Sequence, residues 1–206
     1  MGSIQIPQLQ LDRASFTALH GTPSDGGVLL WRILGLLETP DSGAVWIGGQ
    51  STHGLSQPDI EQVRNRHCGY VFGSPFLLPS LSLIENLAMP LFKLGHLTPQ
   101  QARERTEELL DFVGLRDLAQ SPTHDLSAPQ QWSASVARAL ANYPSLLLVE
   151  YPEKQLPPDF LPAAARLLEQ ASQKWDLAAV VTTSESLPGA MPLHFPAPES
   201  TFPSAL

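Results

Sequence analysis

The sequence predicts an α/β protein, with a mostly parallel sheet covered by helices on both faces and a helical insert between residues 74 and 140. Three observations predict it. Short apolar runs of buried-strand type, such as Ser145 to Val149 and Ala178 to Thr182, alternate with longer segments of helical pattern. Helix-start signals precede several of the longer segments: Thr98-Pro99-Gln100-Gln101 is a capping box, and Ser56 stands as an N-cap with Pro58 in the first turn. Glycine-rich turns bound the runs expected to be strands.

In chain order, Phe16 to His20 is a buried strand before a Gly-rich turn, and Val28 to Leu37 is a helix packed against it. Gly43 to Gly49 is a strand between turns, Ser56 to Arg66 a helix and Gly69 to Phe72 a short strand. Leu83 to Phe92 is a helix with a break expected at Pro90, and the Thr98 capping box opens a helix to Val113. Pro129 to Asn142 is helical, Ser145 to Val149 a strand, Leu161 to Trp175 a helix and Ala178 to Thr182 a strand. The domain is expected to span residues 1–186. The tail from Leu187 to Leu206 holds five prolines and is expected to be irregular.

A chain of 206 residues can bury the core of one such domain. A net charge of −8 argues against nucleic acid as a main partner and against a polybasic membrane anchor. A single cysteine, Cys68, excludes an internal disulfide and fits a reducing compartment. No apolar run reaches membrane-span length, since Arg32 interrupts Leu29 to Leu37, and the N-terminus has no secretion-signal pattern. The histidines His20, His53, His67, His96, His124 and His194 do not stand three or four residues apart, and the adjacent pair His67-Cys68 lacks metal-ligand spacing, so no metal site is expected. Trp31, Trp46, Trp132 and Trp175 are read as core or interface aromatics.

Residues 126 to 140, Leu-Ser-Ala-Pro-Gln-Gln-Trp-Ser-Ala-Ser-Val-Ala-Arg-Ala-Leu, carry a more specific signal. They resemble the signature helix of ATP-binding cassette proteins, Leu-Ser-Gly-Gly-Gln followed by a helix ending in Ala-Arg-Ala-Leu. Leu126, Ser127, Gln130 and Ala137 to Leu140 match, while Ala128 and Pro129 replace the glycines. Further stretches follow the family in order: Gly21 to Leu29 where the phosphate loop stands, Arg32 to Leu37, Thr39 to Gly43, Arg64 to Phe72, Leu77 to Leu81, Glu85 to Leu87, and Ala139 to Pro144 leading into Leu146 to Leu148. The chain is similar to the lipoprotein-release and macrolide-efflux branch of that family. The resemblance implies a P-loop-type cassette core with a helical subdomain and lacks the usual N-terminal strand bearing an adenine-stacking aromatic.

What the resemblance implies at each catalytic position is a loss. A phosphate loop needs G-x-x-x-x-G-K-[S/T], with the Lys on the phosphates and the hydroxyl on Mg²⁺. Gly21 and Gly26 keep that spacing, but Gly27 stands for the Lys and Val28 for the hydroxyl. Ser24 and Asp25 lie inside the loop. Asp25 is read either as a cap occupying the place of a phosphate at the helix N-terminus or as a plain turn residue. Gly73 takes the place of the water-positioning Gln, Glu150-Tyr151 that of Asp-Glu, Thr183 that of the switch His, and Pro157 that of an Asp organising the paired site. Tyr151 cannot act as a carboxylate base. Pro129 removes an N–H from the signature surface formed with Ser127 and Gln130.

One stretch keeps the family pattern without interruption. Phe76, Leu77, Leu78, Pro79, Leu81, Ile84 and Leu87 resemble the groove that receives a short cytoplasmic helix of a membrane subunit. The competing reading is packing within the domain. Trp132 is read as filling space left by a missing nucleotide or as facing a partner. The expectation is a catalytically inactive cassette subunit, with weak or no ATP and Mg²⁺ binding. It would act by protein contact with a membrane-subunit coupling helix, and possibly with a second cassette, on the cytoplasmic face of a membrane. The alternatives are a soluble regulator or scaffold derived from such an ATPase, and an ATP-binding subunit with residual activity.

Overall fold

A computed structural model describes residues 6, 8–21, 26–94 and 97–194. Its centre is a five-stranded sheet of order β4-β5-β6-β1-β7. The strands are β1 (Ser15–His20), β4 (Cys68–Val71), β5 (Leu146–Glu150), β6 (Ala178–Thr183) and β7 (Met191–His194). Every neighbouring pair is parallel. The middle strands read as near-continuous apolar runs because both of their faces are covered; all six residues of β6 are buried. Successive side chains then alternate between two cores. Leu147, Val149, Ala179 and Val181 join one apolar cluster with Leu83, Leu109, Trp132 and Leu168. Leu146, Leu148, Ala178 and Val180 join the other, with Leu30, Trp31, Ile47 and Val63.

The second core is covered by α1 (Gly27–Leu34), α2 (Gln57–His67) and a small hairpin, β2 (Trp46–Ile47) with β3 (Gln50–Ser51). α1 is shorter than the sequence predicts. It ends at Gly35, and Leu36 is in the left-handed region at φ 55°. A Cβ at Gly35 would lie 2.8 Å from the Tyr70 ring and 2.9 Å from Leu148, so the chain turns where only glycine lets it approach the sheet. The expected strand from Gly43 to Gly49 contracts to Trp46–Ile47, because Gly48 and Gly49 form the hairpin turn at positive φ. α2 is capped as predicted, the Ser56 hydroxyl accepting from Asp59 N–H.

The other face carries the helical insert, α3 (Leu83–Leu94), α4 (Pro99–Phe112) and α5 (Ala128–Ala139), together with α6 (Leu161–Lys174). α3 runs through Pro90 without the expected break. Its buried stripe of Leu83, Leu87 and Leu91 anchors the helix on both sides of the proline. The Thr98 capping box is closed in both directions, Gln101 N–H to Thr98 Oγ1 and Thr98 N–H to Gln101 Oε1. α5 closes against β4 at Gly69, where a Cβ would meet the Ala139 carbonyl oxygen at 2.3 Å. Two further expectations change. Residues 191–194 of the tail form β7, which adds to the sheet beside β1. Trp132 is fully buried in the core and faces no partner, whereas Trp46 on the hairpin is 68% exposed.

Candidate functional site

In a parallel sheet the loops after the C-terminal strand ends converge on one edge, the usual place for a ligand. Here β1, β6 and β5 deliver Gly21, Ser184 and Tyr151 to that edge from neighbouring strands. Gly21 N–H donates to the Thr183 carbonyl at 3.2 Å, and Tyr151 N–H to the Thr182 carbonyl at 2.9 Å. The Tyr151 ring is buried, and its hydroxyl donates to the Gly21 carbonyl at 3.3 Å. Tyr151 takes left-handed backbone, φ 37° and ψ 67°, a conformation that costs a side-chain-bearing residue about 1 kcal/mol and that the surrounding packing enforces.

On the same edge, Gly26 is the N-cap of α1 with φ 85°. Gly27 follows as its first residue, and a Cβ there would stand 3.6 Å from the Tyr151 hydroxyl. The tyrosine thus lies directly in front of the position at which the resemblance expects a phosphate-binding lysine. Val28, in the expected place of the metal-binding hydroxyl, is half-buried. Ser24 and Asp25, with Thr22 and Pro23, lie outside the described residues.

The carboxylates at this edge are turned inward to the chain itself. Glu150 Oε2 accepts from Gly73 N–H at 2.9 Å, joining the end of β5 to the loop after β4. Glu153 accepts from the Thr183 hydroxyl at 3.2 Å through one oxygen, and from Ser184 N–H and Oγ–H at 2.8 and 3.0 Å through the other. Gln155 donates to the Phe72 carbonyl at 2.8 Å. Lys154 holds its ammonium 4.2 Å from the centre of the Tyr151 ring. The loops that begin at residues 21, 73, 151 and 184 are therefore knitted together by side chains of the chain. Gly27, Val28, Gly73 and Thr183 bring no ionisable group. Among the described residues, no three or more His, Cys, Asp or Glu converge as metal ligands.

The signature segment is equally self-contained. Ser127 is the N-cap of α5: its hydroxyl accepts from Gln130 N–H, and its own N–H donates to Gln130 Oε1 at 2.8 Å. Pro129 has no N–H, so Ala128 holds the remaining uncommitted amide of that turn among the described residues. This capping box could have been read from Ser127 and Gln130, three residues apart. Glu153 and Lys154 carried no signal, because their partners come from another strand end.

The apolar segment divides. Leu87 is fully buried on the inner face of α3, spaced by one turn from Leu83 and Leu91, so it belongs to the core and not to a partner groove. Leu77 and Ile84 pack against the same core, and Leu81 is half-buried. Phe76 is 65% exposed, Leu78 is 38% exposed, and Pro79 is also outward. Phe76, Leu77 and Pro79 help line an open hollow of about 310 Å³ with Thr123, His124 and Gln131. Two residues shape this surface. Buried Asn86 bonds both the N–H and the carbonyl of Leu78, and Arg138 donates to the carbonyls of Pro75 and Phe76 at 2.7 Å each.

A parallel sheet with a glycine-turn-helix after its first strand, and a capped signature helix in a helical insert, defines an α/β cassette of the ATP-binding type. The comparisons agree: the ABC transporter family model matches residues 4–152, and the chain belongs to that family. The lipoprotein-releasing system ATP-binding protein LolD 1 of Chlorobium chlorochromatii is 30% identical over 182 residues, 87% of this chain and 74% of that protein. The macrolide export ATP-binding/permease protein MacB of Syntrophobacter fumaroxidans is 32% identical over 191 residues, 90% of this chain and 27% of that protein. Among solved structures, the dimeric structure of MJ0796, a bacterial ABC transporter cassette, superposes with a TM-score of 0.74 at 28% identity, covering 86% of this chain and 78% of that one. Its dimeric post-hydrolysis state, bound to ADP and Pi, gives 0.76 at 26% identity, covering 91% and 83%.

Proposed function

We propose that this chain is an ABC-type cassette subunit that does not turn over ATP and that acts by protein contact within a membrane-transport complex. The observation that carries this reading is Tyr151, whose buried ring and hydroxyl stand between the Gly21 carbonyl and Gly27. Hydrolysis in a cassette requires a charge on the β- and γ-phosphates, a metal ligand, an oriented water and a base. At the corresponding positions stand Gly27, Val28, Gly73 and Tyr151, and Glu150 is engaged by a backbone amide. Mg–ATP binding is expected to be weak or absent, for want of the lysine and because Tyr151 fills the approach. The relatives' names, LolD and MacB, make the membrane subunit of a lipoprotein-release or macrolide-export type system the expected partner. The chain then sits peripherally on the cytoplasmic face, and a second cassette is a further candidate partner.

Within the predicted groove segment, Phe76 and Leu78 are outward apolar anchors for such a partner, and a well-packed anchor of this kind typically contributes about 2 kcal/mol or more to an interface. The test is co-purification from detergent-solubilised native membranes. The wild-type chain should elute with a membrane subunit. Leu78→Asp should keep its circular dichroism and melting midpoint but lose that subunit. A wild-type chain recovered alone from the soluble fraction would favour the regulator reading instead.

A further inference from the structure

The hollow beside Phe76 joins an exposed aromatic to an acidic margin. Phe76 stands in left-handed backbone at φ 46°, yet its ring is 65% exposed. The ring rests edge-on against Phe72 with centroids 5.9 Å apart, and Arg138 holds the Phe76 carbonyl. Backbone strain at an aromatic that gains little burial is the pattern of a position kept for contact. The hollow of about 310 Å³ is open. That volume is at the low end of ligand pockets, roughly 300–1,000 Å³. It suits a large apolar side chain presented by another protein better than an enclosed ligand.

The charge around it is one-sided. Residues 74–92 and 117–137, which build the hollow and its margin, contain no Lys or Arg and carry Glu85, Asp117 and Asp125, all exposed. Glu85 accepts from the Ser82 N–H and hydroxyl at 2.8 Å each, and these bonds hold its carboxyl below the usual range, so it stays ionised. Ser82 bridges to Pro122, beside Thr123 in the wall of the hollow, and Asp125 follows His124 in the same wall. The neighbouring cations do not cancel this margin. Arg116 pairs with Asp111 and Glu107, and Lys93 stands more than two turns beyond Glu85 on α3. Half-buried Arg138 spends its guanidinium on the Pro75 and Phe76 carbonyls, one charge against three carboxylates.

We infer that the hollow selects a cationic amphipathic segment of the membrane subunit, which seats one large apolar side chain against Phe76 and Pro79 and sets Lys or Arg toward Glu85 and Asp125. The inference rests on the reading that the chain acts by contact with such a subunit. The apolar anchor holds the complex, and the carboxylates steer the segment and fix its register.

The experiment is co-purification of the full chain from detergent-solubilised native membranes at about 50 mM and about 500 mM salt. The membrane subunit should be recovered at the lower salt and fall several-fold at the higher. The double variant Glu85→Lys with Asp125→Lys should cut recovery at low salt by about tenfold or more. Glu85→Gln with Asp125→Asn, which keeps an acceptor for Ser82, should cut it to an intermediate level with a melting midpoint within about 2 °C of wild type. Asp41→Lys with Glu61→Lys makes the same charge change at exposed positions elsewhere and should leave recovery unchanged. Recovery insensitive both to salt and to the Glu85 and Asp125 variants overturns the cationic segment while the contact with a membrane subunit stands, and so does an equal loss in the Asp41 and Glu61 variant. A wild-type chain that brings no membrane subunit at either salt overturns the contact reading and this inference with it.

Discussion

Tyr151→Ala probes how far the strand-edge site depends on its own tyrosine in place of a ligand. The residue is 1% exposed, so the substitution removes a fully buried aromatic ring. Aromatic-to-alanine truncations in cores cost about 3–5 kcal/mol. Alanine inherits the same left-handed backbone, so strain does not change sign or relieve the loss. Loss of the hydroxyl's bond to the Gly21 carbonyl adds on the order of 1 kcal/mol, and Tyr151→Phe isolates that part. For a chain of this size 1 kcal/mol moves the midpoint by about 2–4 °C. Tyr151→Ala should therefore melt roughly 10 °C or more below wild type, and Tyr151→Phe about 2–4 °C below it. The assay is thermal unfolding by circular dichroism, with and without Mg–ATP. A Tyr151→Ala protein within about 2 °C of wild type would refute the claim that the ring is an integral filler of this site. So would an Mg–ATP-dependent rise in the melting midpoint of the wild-type chain, which would mean that nucleotide enters with the ring in place.

Other predictions concern the same edge and the sheet behind it. Glu153→Ala removes the acceptor of Ser184 N–H and of the Thr183 and Ser184 hydroxyls, so hydrogen exchange at the Ser184 amide should speed up on the order of tenfold while the β6 amides stay protected. Unchanged exchange at Ser184 would remove Glu153 from the account. Burial pushes the Cys68 thiol up to about 11, against smaller downward pulls from the Tyr70 hydrogen bond and the Arg64 charge. Iodoacetamide at pH 8 should therefore label native Cys68 on the order of a hundredfold more slowly than the unfolded chain, and equal rates would contradict this environment.

The parts legible in the sequence are those set by local chemistry or by burial on both sides. β5 and β6 show as continuous apolar runs because helices cover both faces. α2 and α4 show through Ser56 and the Thr98–Gln101 box. The parts that were not legible depend on contacts made at a distance. Met191-Pro192-Leu193-His194 looks like irregular chain, yet an edge strand tolerates the proline, and β1 supplies the pairing. Leu87 reads equally well as groove or core until Leu83 and Leu91 are seen on the same buried face. At the site, Gly27, Val28, Gly73 and Thr183 could be assigned only as departures that the resemblance implies. What fills the space was not legible: Tyr151 reaches back across the sheet edge to Gly21, and Glu153 gathers the start of the next loop.

The central claim, a cassette scaffold without the cassette reaction, is tested most directly by phosphate release from the purified chain with Mg–ATP, measured beside Gly27→Lys and a mock preparation. The account predicts release at the mock level for both proteins, since restoring the lysine leaves Val28, Gly73, Tyr151 and Thr183 unchanged. Mg²⁺-dependent release by the wild-type chain above mock, abolished by substitution of Gly26, would contradict it.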